Sequence, residues 1–429
     1  MAAYLDAPRT ARGDRFSGWL PRPFLRNVRR KFGVFFPATV NGEIVASLSC
    51  KAGMAVPAKA LFVNPGDVGY GSGQSMVNLL RAKQFEAEVA CPGGGDLERE
   101  LEELGIKFLP LEFNKYSLWQ NPVWHLNFYR RFKRMLKASK PDVVVINLDG
   151  NTPLVTLAAV RSGIPIIRFS RFEFKPPNRW LDRWSWLQAK TIICPSELVK
   201  QQVLAWVPSE FHSRVLRLYD PHSGRAAMPQ ASAAFRQEFR LGDDKIIGCI
   251  GRLHPGKRIE IAIEALAKVR KQVSNARLLI IGGGDEMAYK AELQQVAMDL
   301  GVAESVTFTG YRRPEDMPAA IASLDVCVLP GESESFGMVL MEAWAEGVPT
   351  VASNVSGCCE ISQASGGGYL APVGDAAAFA ERLLALLTNP ETAAAMGKRG
   401  KVWVDQNCTP AGYAAQFKSV INIGKPDPK

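Results

Sequence analysis

The feature that most constrains this chain is the alternation of short apolar runs with longer segments of helical periodicity. Residues 141–148, PDVVVINL, contain an unbroken β-branched run at 143–146, as expected for a strand covered on both faces of a parallel sheet. Comparable runs recur through both halves, each followed by a turn and a helical segment. This alternation predicts Rossmann-like α/β layers, and 429 residues are enough for two of them. The predicted strands are 60–64, 86–91, 107–111, 141–148, 164–168, 191–195, 215–219, 245–250, 276–281, 306–309, 325–329 and 350–352, with a short hairpin or edge strand at 366–372.

The pattern divides the chain into an extension and two domains. We predict a basic, disordered extension at 1–58, a first domain at 59–225 and a second at 226–409, with a small, polar linker at 226–234. A helix at 410–421 would return to the first domain. The extension could instead be a targeting peptide, a membrane-touching arm, or the product of an upstream start codon, with Met54 as the true initiator. We expect it to have no role in the chemistry.

Charge and cysteine usage exclude some classes of protein. The formal net charge is +10, but residues 1–53 hold nine Lys or Arg and only three acids, so the remainder is nearly balanced. This distribution does not support a general nucleic-acid partner. The eight cysteines include no Cys-x-x-Cys pair and lie mostly in apolar runs, which favours a reduced, cytoplasmic compartment. No apolar stretch reaches about 18 residues, so no spanning helix is expected.

Residues 328–351, VLPGESESFGMVLMEAWAEGVPTV, combine a strand end, an acidic loop and a helix. Glu334 and Glu342 are eight residues apart across the junction between loop and helix. The backbone N–H groups from Phe336 to Val339 would lie at the helix start, where a phosphate is well received. The stretch therefore predicts a nucleotide-sugar site, with one carboxylate on sugar hydroxyls and the other on a ribose diol. The alternative is a solvated acidic loop before an ordinary helix.

The same stretch resembles the E-x7-E signature of the family 4 retaining glycosyltransferases. The resemblance includes the Phe-Gly after the first Glu and the Glu-Gly-Val-Pro that ends the helix, and it extends over about residues 59–420. It implies a GT-B fold, in which two Rossmann-like domains face each other across a cleft. It also implies that a hexose-type unit moves from a UDP- or GDP-sugar to an acceptor hydroxyl, with retained configuration. The first domain would bind the acceptor and the second the donor.

The donor site can be assigned to two further segments. A basic turn at 251–258 follows a predicted strand, and the resemblance makes Arg252 and Lys257 the pair that neutralises the diphosphate. A glycine-rich loop at 65–73, with Gly69, Gly71 and Gly73, either lets the backbone approach the donor or is merely flexible. The catalytic candidates are Arg252, Lys257 and Glu334. The donor-binding candidates are Gly71, Gly73, Arg252, Lys257, Tyr311, Arg312, Glu334, Ser335, Phe336, Gly337, Met338, Val339 and Glu342.

The acceptor side departs from the family. Members often carry a histidine at a strand end facing the sugar, but no histidine occurs between His125 and His212. Asn147, Asp149 or Asn151 could take its place. Arg168, Arg171 and Lys175 either meet an anionic acceptor or are exposed loop charges. The acceptor-binding candidates are Asp149, Asn151, Arg168 and Arg171.

Residues 125–137, HLNFYRRFKRMLK, are basic and aromatic at helical spacing. The apolar face should consist of Leu126, Phe128, Tyr129, Phe132, Met135 and Leu136. Such a helix either docks on an anionic membrane or is an ordinary crossover helix with one buried face. The first interpretation, with the loop arginines, favours a lipid-linked or anionic acceptor in surface polysaccharide or glycolipid synthesis at the inner face of the membrane.

The expected chemistry needs neither metal nor cofactor. No Asp-x-Asp and no ligand cluster with metal spacing occurs, and two cations can do a metal's work on the diphosphate. No general base is evident, so the departing phosphate would take the acceptor proton. The competing functions are a nucleotide-sugar hydrolase or epimerase and a non-catalytic nucleotide-sugar-binding subunit. A dinucleotide dehydrogenase is disfavoured because no turn carries Gly-x-Gly-x-x-Gly.

Overall fold

The structure is a computed structural model that describes residues 58–66, 71–114, 121–284 and 287–422. These residues belong to one compact unit, Val56–Lys429. The predicted extension at 1–58, apart from its last residue, lies outside the described residues, and so does Gly69. None of the helices in the described part is long and apolar enough to cross a bilayer.

A first sheet of seven parallel strands occupies the N-terminal half, in the order β3-β2-β1-β4-β5-β6-β7. Its strands are β1 (Lys59–Val63), β2 (Glu86–Cys91), β3 (Lys107–Pro110), β4 (Val143–Ile146), β5 (Ile166–Phe169), β6 (Thr191–Cys194) and β7 (Val215–Arg217). The helices around it are α1 (Gly71–Arg81), α2 (Asp96–Leu104), α3 (Pro122–Ser139), α4 (Thr152–Arg161), α5 (Trp180–Leu187) and α6 (Glu197–Leu204).

The second sheet has six parallel strands in the order β10-β9-β8-β11-β12-β13. Its strands are β8 (Lys245–Ile250), β9 (Ala276–Ile281), β10 (Val306–Gly310), β11 (Val326–Leu329), β12 (Thr350–Ser353) and β13 (Gly368–Ala371). The helices of this half are α7 (Pro229–Glu238), α8 (Ile259–Val269), α9 (Met287–Asp299), α10 (Met317–Ala322), α11 (Met338–Ala345), α12 (Ser356–Ser365), α13 (Ala376–Leu387), α14 (Pro390–Asn407) and α15 (Pro410–Asn422).

The central strands are covered on both faces, which explains their continuous apolar runs. In β4, Val143 and Val145 enter the core on one side of the sheet, whereas Val144 and Ile146 enter the core on the other. All four residues are buried. Because successive side chains of a strand point to opposite faces of the sheet, β4 contributes to the hydrophobic cores on both sides of it.

Three local expectations differ from the structure. The segment near 368–371 is an edge strand, as one alternative predicted, but it pairs in parallel with β12 and is no hairpin. The linker predicted at 226–234 is partly helical, because α7 begins at Pro229, a residue favoured in the first turn of a helix. Helix α1 begins at Gly71, so Gly71 and Gly73, which were predicted in the glycine-rich loop at 65–73, are helical residues.

The last helix packs on the first half of the chain. α15 lies against α1, and Phe417 joins the core of the first sheet, where its ring contacts Phe62 and Phe169. The two segments that cross between the sheets run side by side, since the His222 amide donates to the Cys408 carbonyl (2.9 Å). The C-terminal helix thus ties the two halves together.

Candidate functional site

The carboxyl ends of strands from both sheets meet around one loop of the second half. This donor loop, residues 330–337, connects β11 to α11. The Ser335 hydroxyl donates to the carbonyl of Arg171 after β5 (2.8 Å), and the Ser196 hydroxyl after β6 donates to the Ser335 carbonyl (2.8 Å). The loop is therefore held from the first half of the chain. In doubly wound α/β proteins such strand ends are where ligands bind.

The acidic loop and the basic turn predicted from the sequence come together. Lys257 Nζ lies 2.9 Å from Glu334 Oε2, and both side chains are partly buried. The Glu332 amide donates to the Gly256 carbonyl (3.2 Å), which joins the two backbones directly. A cation and a carboxylate from separate βα loops are thus fixed at one point between β8 and β11, which are neighbours in the sheet.

Arg252 lies in the same turn as Lys257. Its side chain is exposed, and it follows Gly251, at which an added Cβ would be 4.0 Å from Lys257 Cε. The backbone at this position is thus adjacent to the lysine side chain. The role of Arg252 on a diphosphate stays a prediction.

Glycines allow the donor loop to approach its neighbours closely. Gly337, before α11, has φ +101°, a backbone conformation that residues with a side chain rarely adopt. Gly357 in α12 donates its amide to the Glu334 carbonyl (3.0 Å), and an added Cβ there would lie 2.5 Å from Phe336 N and Cα. Phe336 is buried and stacks on Tyr219 at 5.6 Å between centroids. The backbone between Glu334 and α11 is thus tightly enclosed.

Glu342, the second predicted carboxylate, lies on α11 and is partly buried. Burial raises the pKa of this carboxyl from 4.5 to about 7. Met338, at the start of the same helix, would contact a Cβ placed on Gly71 of α1 (3.5 Å to Cγ). The first turn of α11 therefore faces the first turn of α1, although nothing tests the roles predicted for Gly71, Gly73, Met338 and Val339.

The two residues predicted at the nucleobase after β10 have different surroundings. The Tyr311 hydroxyl donates to Asp96 Oδ2 at the start of α2 (2.6 Å), which links the two halves a second time. Arg312 forms an ion pair with Glu238 (2.6 Å), and its guanidinium lies 4.9 Å from the centre of the Phe239 ring. Arg312 is thus bound to α7, whereas Tyr311 is half-exposed.

Comparisons with known proteins identify the family of this chain. The family described as "Glycosyl transferase 4-like domain" matches residues 73–219, and the family described as "Glycosyl transferases group 1" matches residues 231–403. Together they cover every strand of the two sheets except β1. The chain belongs to the family 4 glycosyltransferases.

Relatives and solved structures point the same way. A GDP-mannose-dependent alpha-(1-6)-phosphatidylinositol monomannoside mannosyltransferase of Mycobacterium tuberculosis is 36% identical over 183 residues, which are 41% of this chain and 47% of the relative. A D-inositol 3-phosphate glycosyltransferase of Corynebacterium efficiens is 35% identical over 48% of each chain. The matched regions thus span about half the length of these curated relatives. The crystal structure of Anabaena Alr3699/HepE with UDP and glucose covers 85% of this chain and 99% of its own at 19% identity (TM-score 0.74), which supports the GT-B fold.

In the first half of the chain, the residues predicted to bind an acceptor surround the end of β4. Asp149 forms an ion pair with the buried Arg168, and its own side chain is mostly exposed. The Arg168 guanidinium stacks on Trp186 (4.0 Å), and burial lowers its pKa. Asn151 accepts from the Asn114 amide (2.9 Å) in a left-handed conformation before α4. These three residues are close together, and their contact with an acceptor stays a prediction.

Arg171 has a different environment from the one its sequence position suggests. Its guanidinium is buried and donates to Asn147, Ser75 and Asp220. Neither Arg168 nor Arg171 is an exposed loop charge, so that alternative was wrong for both; Lys175 is exposed. Because the donors of this buried guanidinium are used on partners within the protein, Arg171 stabilises the structure and is not poised to bind a ligand.

Sequence reasoning missed several residues that join the two halves. The Glu360 carboxylate on α12 accepts from the Glu197 amide at the start of α6 (2.7 Å) and from the Tyr219 hydroxyl (2.9 Å). Neither Ser196 nor Asp220 was singled out from the sequence as a functional residue. Ser196 and Glu360 each bind a residue more than 100 positions away in the sequence, so no local pattern could have revealed these contacts.

Proposed function

We propose that this glycosyltransferase moves a hexose-type unit from a UDP- or GDP-sugar to an acceptor hydroxyl, with retained configuration. The observation that carries the proposal is the contact between Lys257 and Glu334 beside the start of α11. A cation there can bind the diphosphate and a carboxylate can accept hydrogen bonds from sugar hydroxyls. The amides of the first helical turn add donors directed at the same place.

In this proposal Lys257 and Arg252 stabilise the negative charge that develops on the leaving diphosphate. Such fixed charges act most strongly where charge appears in the transition state. Glu334 orients the sugar, Glu342 accepts from the ribose diol, and the departing phosphate takes the acceptor proton. With two cations at the diphosphate, we propose that the reaction needs neither metal nor cofactor.

The donor class is supported by what similar proteins use. The relatives from Mycobacterium tuberculosis and Mycolicibacterium smegmatis are described as GDP-mannose-dependent, and the Anabaena structures hold UDP with glucose or UDP-glucose. Both are nucleoside diphosphate hexoses, which differ in base and sugar. The aligned half of the chain does not choose between them, so the proposal includes both donors.

A donor panel tests the proposal before the acceptor is known. Purified protein is incubated with UDP-, GDP- and ADP-hexoses, with and without EDTA, and the released nucleotide and sugar are quantified. We expect slow release from one nucleotide class, unaffected by EDTA, and an anomeric configuration in the sugar that matches the donor. Absence of both release and binding across the panel would contradict the proposal, and release abolished by EDTA would contradict its metal-free form. A hydrolase would turn over rapidly without acceptor, an epimerase would change the sugar, and a binding subunit would bind without release.

We also propose that the enzyme is cytoplasmic and docks on an anionic membrane through α3, where it would meet a lipid-linked acceptor. Residues 122–141 contain no acid, and the basic side chains on α3 are exposed. A groove of about 940 Å³ lies beside them, lined by Arg130, Lys133, Arg134, Leu136, Lys137, Lys140, Pro141, Ser162 and Ile164.

The apolar residues of α3 divide between core and surface. Phe128, Phe132 and Leu136 are buried, as predicted, but Leu126 is 48% exposed and Val123 is 67% exposed. The predicted apolar face was therefore wrong for Leu126. Exposed apolar and basic residues on one helix are typical of proteins that bind anionic lipid surfaces.

Vesicle sedimentation tests the membrane contact. We expect the full chain to bind vesicles that contain phosphatidylglycerol and to dissociate in high salt, because each basic residue near the surface contributes about 1 kcal/mol. The variant Lys133→Glu with Lys137→Glu should lose at least about tenfold in binding. A control variant, Lys268→Glu on α8, should bind as the wild type does. Equal binding of both variants would contradict the role of α3.

A further inference from the structure

A buried cation, Arg171, connects the start of α1, the donor loop and the crossing segment between the two halves. Its Nε and Nη2 donate to Asn147 Oδ1 (3.0 and 2.7 Å). Its Nη1 donates to Ser75 Oγ (2.9 Å) and to Asp220 Oδ1 (2.5 Å). The guanidinium thus donates hydrogen bonds to three segments: the residue that follows β4, helix α1 and the segment after β7.

The partners of Arg171 extend the connection to the start of α1. The side-chain NH₂ group of Asn147 donates to the Ser72 carbonyl in the first turn of α1 (3.1 Å) and to Asn64 Oδ1 at the end of β1 (2.8 Å). Because Arg171 saturates the oxygen of Asn147, it fixes the orientation in which the Asn147 NH₂ group points at Ser72. One side chain thereby sets the position of the helix turn that faces Met338.

The backbone of Arg171 reaches the donor loop on its other side. Its carbonyl accepts from the Ser335 hydroxyl, one residue after Glu334 (2.8 Å). Asp220 accepts from Ser75 as well (2.6 Å), and Asn78 Nδ2 donates to the Pro221 carbonyl (3.0 Å), so α1 is anchored to the crossing segment. Arg171 is therefore in contact, directly or through one partner, with the first turn of α1, the crossing segment and the donor loop.

We infer that Arg171 is a positioning residue that places the donor loop and the first turn of α1 relative to each other, and that it does not bind the acceptor. The inference rests on the proposed function, because it concerns the site that would hold the nucleotide sugar. The role requires the planar fork of arginine. A lysine supplies the same charge as a single point and cannot serve Asn147, Ser75 and Asp220 together in this geometry.

Hydrogen exchange of the full chain tests the inference without knowledge of the substrate. In Arg171→Lys we expect faster amide exchange in residues 71–80 and 331–340 together, compared with the wild type. The matched control is Glu88→Gln, which removes a buried carboxylate on β2 that binds Lys59 (2.9 Å) and Lys107 (3.1 Å). It should leave exchange in both segments unchanged. Faster exchange confined to the neighbours of Arg171 in sequence would overturn the inference.

Kinetics on the donor identified by the panel give the second readout. We expect Arg171→Lys to lower turnover on the order of 100-fold, since small misplacements of reacting groups cost about this much. Its Kd for the free nucleotide should stay within about threefold of the wild type, because the nucleotide would be bound by the second domain. Loss of nucleotide affinity in parallel with turnover, or a turnover equal to that of Glu88→Gln, would overturn the positioning role. A wild type with no donor activity would instead refute the proposed function, and the exchange experiment would still decide the inference.

Discussion

At the scale of single residues, Glu342 is a carboxyl group whose surroundings disfavour its charge. Burial raises its pKa from 4.5 to about 7. A carboxyl with a raised folded-state pKa holds its proton more tightly in the folded protein than in the unfolded chain. Its contribution to stability therefore falls as the pH rises from about 4.5 through about 7.

We predict that Glu342→Gln stabilises the protein more at pH 8.5 than at pH 5. The gain at pH 8.5 should be about 1–3 kcal/mol, since each unit of pKa shift corresponds to about 1.4 kcal/mol. The measurement is the free energy of unfolding in urea at both pH values. The control is Glu391→Gln at the exposed start of α14, which should change the free energy of unfolding by no more than about 0.5 kcal/mol. A gain for Glu342→Gln that is the same at both pH values would contradict the account.

At the scale of elements, the donor loop is kept in place by the helix that packs beside it. Gly357 in α12 leaves room for the backbone of Phe336, and its amide binds the Glu334 carbonyl. The packing of α12 therefore determines where Glu334 lies. A change in this contact should act on the chemistry through the loop, without removal of any charged group.

We predict that Gly357→Ala lowers turnover at least tenfold and lowers the melting temperature. Its Cβ would lie 2.5 Å from Phe336 N and Cα, so the donor loop must shift. The matched control is Gly412→Ala at the start of α15, where an added Cβ would crowd only the hydroxyl of Thr409 (2.9 Å), which binds the Gly412 amide and does not belong to the donor loop. Turnover of Gly357→Ala equal to that of Gly412→Ala would show that the close approach is irrelevant to the site.

At the scale of the whole molecule, Glu360 joins the two domains through a helix N-terminus. Its carboxylate accepts from the amides of Glu197 (2.7 Å) and Leu198 (3.4 Å) at the start of α6, where a negative charge is favoured. The same carboxylate binds the Tyr219 hydroxyl. The first and second halves are therefore held together by a contact outside the proposed donor pair.

We predict that Glu360→Ala increases the radius of gyration measured by small-angle X-ray scattering and decreases turnover. The physical reason is that α6 and α12 lose their shared acceptor, so more open arrangements of the two domains become populated. Glu381→Ala, at an exposed position on α13, is the control and should leave both quantities unchanged. An unchanged radius of gyration in Glu360→Ala would show that Glu360 does not hold the two domains together.

Most of the fold could be predicted because the strands are buried on both faces. Runs such as 143–146 and 278–281 can bury every side chain only inside a covered parallel sheet. The edge strand was harder to predict. Gly368–Ala371 has only one buried residue, so its composition did not indicate whether it pairs in parallel or antiparallel. The start of α1 was misplaced because tertiary contacts at Gly71 and Ser72 override the low helix propensity of glycine.

The candidate site could be predicted in part. Lys257 and Glu334 were identified through the resemblance to the family. Their contact has a physical reason, since each follows a strand of the same sheet and such loops converge at its carboxyl edge. The contacts of Arg171, Ser335 and Glu360 could not be predicted, since they join residues 24 to 164 positions apart with no local signature. Charge alone suggested a ligand for Arg171, whereas burial gives it internal partners.

The most direct test of the central claim is the turnover and nucleotide affinity of Lys257→Ala, measured beside the wild type and Lys268→Ala. The donor identified by the panel is the substrate, and affinity for the free nucleotide is measured by calorimetry. We predict that Lys257→Ala loses turnover on the order of 100-fold or more and binds the nucleotide more weakly, because a fixed charge on the leaving diphosphate is gone. Lys268→Ala should match the wild type. Turnover of Lys257→Ala within about twofold of the wild type would contradict the claim that the Lys257–Glu334 contact is the donor site.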